Sequence, residues 1–111
     1  MKQVRLTQGL FAIVSEEDFE FVSRFKWCAS LESRGTKFYA IRWIRVNGKQ
    51  KKVRMHRAII EARGFEIPEG HVIDHVNENS LDNRFENLEA ITQDENMRRS
   101  QGWQRRGKKD V

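Results

Sequence analysis

His71-Val72-Ile73-Asp74-His75-Val76, then Leu88-Glu89-Ala90-Ile91, then Thr92-Gln93-Asp94-Glu95-Asn96 is the stretch that decides how this chain folds. The first run is β-prone and predicts a strand. The polar residues Asn77–Asn87 read as a loop, and Leu88–Ile91 predicts a second short strand. Thr92, with Glu95 three positions on, has the pattern of a capping box, so a helix is expected to open at about residue 93. If this strand–loop–strand–helix unit folds back on itself, Asn96 in the first helical turn faces Asp74 and His75 at the strand end. Asp74 and Asn96 then supply two oxygen ligands, the donor type that suits Mg²⁺ or Mn²⁺, with water and phosphate oxygens completing the shell. Neighbouring strand side chains point to opposite faces, so Asp74 and His75 share a site only where the strand twists or ends, or by approaching it from two sides.

Upstream, Val4–Leu6 and Leu10–Val14 predict two short strands with a turn near Gln8-Gly9. Ser15-Glu16-Glu17-Asp18 reads as a capped helix start, with the helix running to about Phe25 and burying Phe19, Val22 and Phe25. A strand from Lys37 to Val46 should turn at Asn47-Gly48 into Lys49–His56, because Asn-Gly accepts the positive φ angles of a two-residue hairpin. Alternation then puts Phe38, Ala40, Ile44, Val53 and Met55 on a core face. The other face carries Tyr39, Trp43, Arg45, Lys52, Arg54 and His56. Nine Lys/Arg and no acid lie from Arg34 to Arg57, so this face is expected to meet a nucleic-acid backbone or groove. His56 is either a helix cap or part of that surface. Residues 56–63 predict a short helix stopped by Gly64.

The chain has 111 residues, which suits one domain with a modest core. It has no apolar run long enough for a membrane helix and no signal-peptide core at the N-terminus. The single Cys28 excludes an intrachain disulfide and a zinc site made of cysteine pairs, so a cytoplasmic location is expected, in a bacterial or phage-infected host cell. Net charge is +5, unevenly spread. Residues 1–60 hold 13 Lys/Arg against 5 Asp/Glu, residues 61–96 hold 2 against 10, and residues 97–111 hold 6 against 1. An acidic segment between two basic ones suits hydrolysis of a polyanion, since carboxylates hold a cation while flanking cations hold phosphates.

Asp74-His75-Val76-Asn77, Leu81-Asp82-Asn83-Arg84-Phe85-Glu86-Asn87-Leu88 and Ala90-Ile91-Thr92-Gln93-Asp94-Glu95-Asn96 closely resemble the HNH endonucleases of phage and homing type. Leu6-Thr7-Gln8-Gly9, Phe25-Lys26-Trp27 and Met55-His56-Arg57 extend the resemblance upstream. The resemblance implies a ββα-metal unit in which His75 is the general base, Asn87 braces the loop, and Asp74 with Asn96 binds Mg²⁺ or Mn²⁺. Asn rather than His at position 96 departs from the commoner pattern and favours hard cations. Family products carry 5′-phosphate and 3′-hydroxyl ends. An imidazole near neutral pH is a suitable base.

The expectation is therefore an α+β chain: a β-rich platform with a basic hairpin (residues 1–66), a ββα-metal core (67–101) and a basic tail (102–111). It would cut double-stranded DNA, nicking as a monomer or cutting both strands as a homodimer. Arg84 or Arg99 could contact the phosphate, and the sequence does not choose between them. Asp82 and Asn83 read as turn formers. Arg105 and Arg106, with Trp103 nearby, are expected to bind phosphate in the tail. The alternatives are a DNA-binding module of the same fold without turnover, and a metal-dependent ribonuclease.

Overall fold

A computed structural model describes residues 1–32 and 35–97, together with the backbone of residues 98–100. Among the described residues it is α+β, with three small antiparallel sheets and three short α-helices. β1 (Lys2–Arg5) pairs with β2 (Phe11–Val14), and Gln8 and Gly9 take positive φ in the turn between them. β3 (Cys28–Glu32), β4 (Lys37–Val46) and β5 (Lys49–Arg54) form the second sheet with β4 at its centre. Asn47 and Gly48 have φ of 54° and 79°, the consecutive left-handed pair that the hairpin requires. β6 (His71–His75) pairs with β7 (Leu88–Thr92) to make the third.

α1 (Glu16–Val22) is shorter than the sequence suggests. The Trp27 indole N–H donates to the Val22 carbonyl at 2.8 Å, so the chain folds back where another turn of helix would begin. Phe25 still packs against the core from this turn, with the Arg42 guanidinium 3.8 Å from its ring centroid. Ser15 does not cap α1 with its side chain. Its hydroxyl instead accepts from the Phe85 N–H at 3.0 Å and donates to Glu86 at 3.3 Å, binding the helix start to the distant loop.

β5 ends at Arg54, and α2 (Met55–Ala62) begins two residues inside the stretch read as strand. Met55 is fully buried on the helix rather than the hairpin, so it reaches the core by a different element. α2 stops as expected: Gly64 takes φ of 90° and the Phe65 N–H reaches back to the Ile60 carbonyl. The bidentate Arg63–Asp18 pair, at 3.0 Å for both bonds, ties this end to α1.

α3 (Gln93–Ser100) packs on both β6 and β7. Thr92 Oγ1 accepts from the Glu95 N–H at 3.2 Å, the capping bond that the sequence predicted. The core beneath all this gathers Val4, Ala12, Val14, Val22, Trp27, Ala40, Met55 and Ile59, with Leu81, Phe85 and Leu88 packed against it from the C-terminal half. One hydrophobic cluster thus spans both halves of the chain.

Candidate active site and basic hairpin

The residues between β6 and β7 form a loop stitched by its own polar side chains. The Asn87 amide oxygen accepts from the Asn77 backbone N–H at 3.0 Å. Its NH₂ group donates to Asn77 Oδ1 at 3.0 Å and to the Asp82 carbonyl at 2.8 Å. Asn77 Nδ2 donates to Asp82 Oδ2 at 2.8 Å. Asn77 and Asn79 each accept a backbone N–H two residues on, the local bonding that makes asparagine a turn former. A single 3₁₀ turn, Phe85–Asn87, closes the loop onto β7.

This loop is also fastened to the N-terminal half. The Ile13 N–H donates to the Leu81 carbonyl at 2.8 Å, and the Asn83 N–H donates to the Ile13 carbonyl at 2.6 Å. The Ser80 hydroxyl donates to the Phe38 carbonyl on β4. Asp82, Asn83 and Asn87 are all buried, and their polarity is matched by these bonds.

His75 is the last residue of β6 and is 6% exposed. Its Nε2 lies 2.7 Å from Oδ1 of Asn83, itself 1% exposed. An amide oxygen only accepts, so Nε2 carries the proton and donates it, leaving the lone pair on Nδ1. Burial pushes the His75 imidazole below the ordinary histidine pKa, against the opposing pull of Asn83 and Asp74. The ring is therefore neutral at pH 7.

Two further rings enclose it. His56 on α2 lies 5.4 Å away, centroid to centroid, at 72°, and Tyr39 on β4 lies 6.1 Å away at 58°. Tyr39, placed by the sequence on the hairpin's second face, and His56, read as either a helix cap or part of that face, both pack against His75. Tyr39 is half-buried and His56 is buried, because the base of β4 and the start of α2 are covered by β6 and its loop. Burial holds His56 down at about 3, so it too is uncharged.

Asp74 precedes His75 on β6 and stands opposite Glu89 of β7 in the strand register. Its charge acts on His75, the last residue of the strand. Asn96 lies half-buried in the first turn of α3, the helix packed on β6 and β7. Among the described residues no group of three His, Cys, Asp or Glu side chains could hold a metal. One carboxylate and one amide oxygen fit a hard cation that keeps several waters, as Mg²⁺ does, and do not fit a closed structural zinc site.

The basic hairpin is less free than its sequence suggests. Lys52 and Arg54 both pair with Glu32 of β3, at 2.6 and 2.7 Å. Burial alone would raise the Glu32 carboxyl, but its bonds to Lys52 and Arg54 outweigh that and hold it below the usual carboxylate range. The acid missing from residues 34–57 thus arrives from the neighbouring strand. Trp43 is 52% exposed with the Lys52 ammonium 5.5 Å from its ring, and Arg45 is exposed near the hairpin tip.

Arg84 was one of two arginines, with Arg99, that the sequence offered as a phosphate contact. Instead its guanidinium grips Asp82 through two 2.8 Å bonds, with Glu86 at 3.5 Å. The side chain of Arg99, and Arg105 and Arg106 entirely, lie outside the described residues.

Sequence reasoning did not foresee Asn83 and Glu32 as site-shaping residues, and it named His56 without its contact to His75. Asn83 sits in a run of turn-forming types, and nothing in its spacing from His75 marks it. His56 carried a hint in its position at the hairpin–helix junction, but not its burial.

A fold of small antiparallel sheets, ending in a β-hairpin and helix around a buried histidine, is the setting in which a comparison with known families becomes informative. Residues 53–98 match the family model described as HNH endonuclease. The match begins on β5 and ends within α3, so it takes in His56, Asp74, His75, Asn83, Asn87 and Asn96. Neither a curated protein nor a solved structure matches the chain. No helix among the described residues is long and apolar enough to cross a membrane.

Proposed function

We propose that the chain is a metal-dependent DNA endonuclease, with residues 67–101 as its ββα-metal core, residues 1–66 as a DNA-binding platform and residues 102–111 as a basic tail. The observation that carries this reading is the buried, neutral His75, whose Nε2–H is held by Asn83 so that the lone pair falls on Nδ1. Nδ1 takes a proton from a water attacking the scissile phosphorus. As the proton arrives, Asn83 goes on accepting from Nε2 and the ring keeps its orientation. Asn87 holds the loop that carries Asn83, and so acts on the chemistry only by position.

Asp74 and Asn96 would hold Mg²⁺ or Mn²⁺. Such a cation, when bound, polarises the phosphate and stabilises the leaving 3′ oxygen, giving 5′-phosphate and 3′-hydroxyl ends. Trp43 and Arg45, exposed on the hairpin, contact the DNA backbone beside the cut, while Lys52 and Arg54 contribute less because they share the Glu32 carboxylate, which offsets one of their two charges.

The test is a supercoiled-plasmid assay with Mg²⁺, Mn²⁺ or EDTA, wild type beside His75→Ala. Metal-dependent open-circle or linear product that disappears in the variant supports the nuclease, and the product form separates nicking by a monomer from cutting by a homodimer. Binding without product on varied plasmids would establish a DNA-binding module instead. Preferential cleavage of a matched RNA duplex would make it a ribonuclease.

A further inference from the structure

We infer that His56 is a positioning residue for His75, its flat ring setting the plane in which His75 presents Nδ1. This rests on the reading of His75 as the base.

A histidine ring turns about a broad, soft χ2 torsion. The single bond from Nε2 to Asn83 anchors one atom of the His75 ring but leaves the plane free to rock about that bond. Two contacts restrict the rocking. His56 packs at 72° and Tyr39 at 58°, while His56 and Tyr39 meet each other at 6.2 Å and 78°. The three rings come from α2, β4 and β6, so the cluster also joins the platform to the segment that carries the base.

The Nδ1 of His56 is not what the cluster uses. That atom is buried and has no hydrogen-bond partner among the described residues. Leaving such an atom unpaired costs stability. What remains is shape: a flat, rigid edge that an aliphatic side chain cannot offer. Being uncharged, the ring also does not repel the proton that His75 acquires.

The experiment compares wild type with His56→Phe, His56→Leu and His56→Ala, each confirmed folded by circular dichroism. Phe keeps the flat edge without nitrogens; Leu fills the space without flatness, in case Ala does not fold. The first readout is single-turnover cleavage alongside DNA affinity. Leu and Ala should lose about 10²-fold in rate, the scale of a misplaced catalytic group, with affinity unchanged. Phe should recover most of the rate. The second readout is the ¹⁵N–¹H signal of His75 Nε2–H, which should persist in wild type and Phe and broaden or vanish in Leu and Ala.

A folded Leu variant with wild-type rate and an intact signal overturns the proposal. So does a folded Phe variant as slow as Leu, since the nitrogens would then matter. If wild type itself cuts no DNA, the nuclease reading falls, and the Nε2–H signal still decides whether His56 positions His75.

Discussion

Asn83 Oδ1 lies 2.7 Å from His75 Nε2, and both side chains are almost wholly buried. Eight residues apart in a polar loop, they are joined because β2 captures the Asn83 backbone and the Asn87 side chain closes the loop behind it.

Replacing Asn83 by Ala leaves the His75 N–H without its partner in a buried place. The expected cost is about 1–3 kcal/mol of stability, with a fall in turnover that approaches but does not exceed that of His75→Ala. Asn83→Asp should act differently. A carboxylate there favours the charged imidazole and raises the His75 pKa. The base would then be lost at a higher pH, so the acid limb of the pH–rate profile should move upward. An unmoved limb would mean that another group titrates in that profile.

Asn87 makes three side-chain bonds across the loop while 5% exposed. Asn87→Ala should cost about 2–4 kcal/mol in urea unfolding, in the range of broken buried networks. Asn87→Asp should not rescue it. The donor that faces Asn77 Oδ1 and the Asp82 carbonyl would become an oxygen facing oxygens. A fully stable aspartate variant would show that the bonding pattern around residue 87 is otherwise.

His56, held at about 3 in the folded chain, takes up a proton near 6.5 when unfolded. Between those values the unfolded state binds more protons, so the stability present above pH 6.5 is lost as pH falls. From pH 7 to pH 5 the loss should be about 2 kcal/mol from this group. His56→Phe should flatten that part of the urea-midpoint profile. An equally steep profile in the variant would assign the acid sensitivity to other groups, His75 first among them.

Glu32 draws Lys52 and Arg54 together on one side of the sheet. Glu32→Gln should release both cations and tighten DNA binding, with a steeper fall in affinity as salt rises. Arg45→Ala should weaken binding and make the salt slope shallower by about 1. Lys52→Ala should have a smaller effect than Arg45→Ala. Fluorescence anisotropy across a salt series measures all three, and equal losses for Arg45 and Lys52 would mean that DNA displaces Glu32 from its partners.

The elements were largely written in local sequence. Alternation and Asn47-Gly48 placed the Lys37–Val46 strand and its hairpin turn, because backbone angles and side-chain faces depend on near neighbours. Thr92 and Glu95 marked the start of the last helix for the same reason. Where a residue had a local role and a distant competitor, local reading failed. Ser15 sits where a cap belongs, yet its hydroxyl serves Phe85 seventy positions on.

By itself, then, the sequence determined an α+β chain, its hairpins, and a segment, residues 53–98, that matches the HNH endonuclease family model. Only the tertiary structure decided what surrounds His75. Asn83 became its hydrogen-bond partner, His56 and Tyr39 became its walls, and Arg84 paired with Asp82. It also decided that Lys52 and Arg54 answer to Glu32. The physical reason is common to all of these. A turn or a strand face is set by neighbours along the chain, whereas burial, hydrogen-bond partner and charge state are set by whichever distant groups the fold brings alongside.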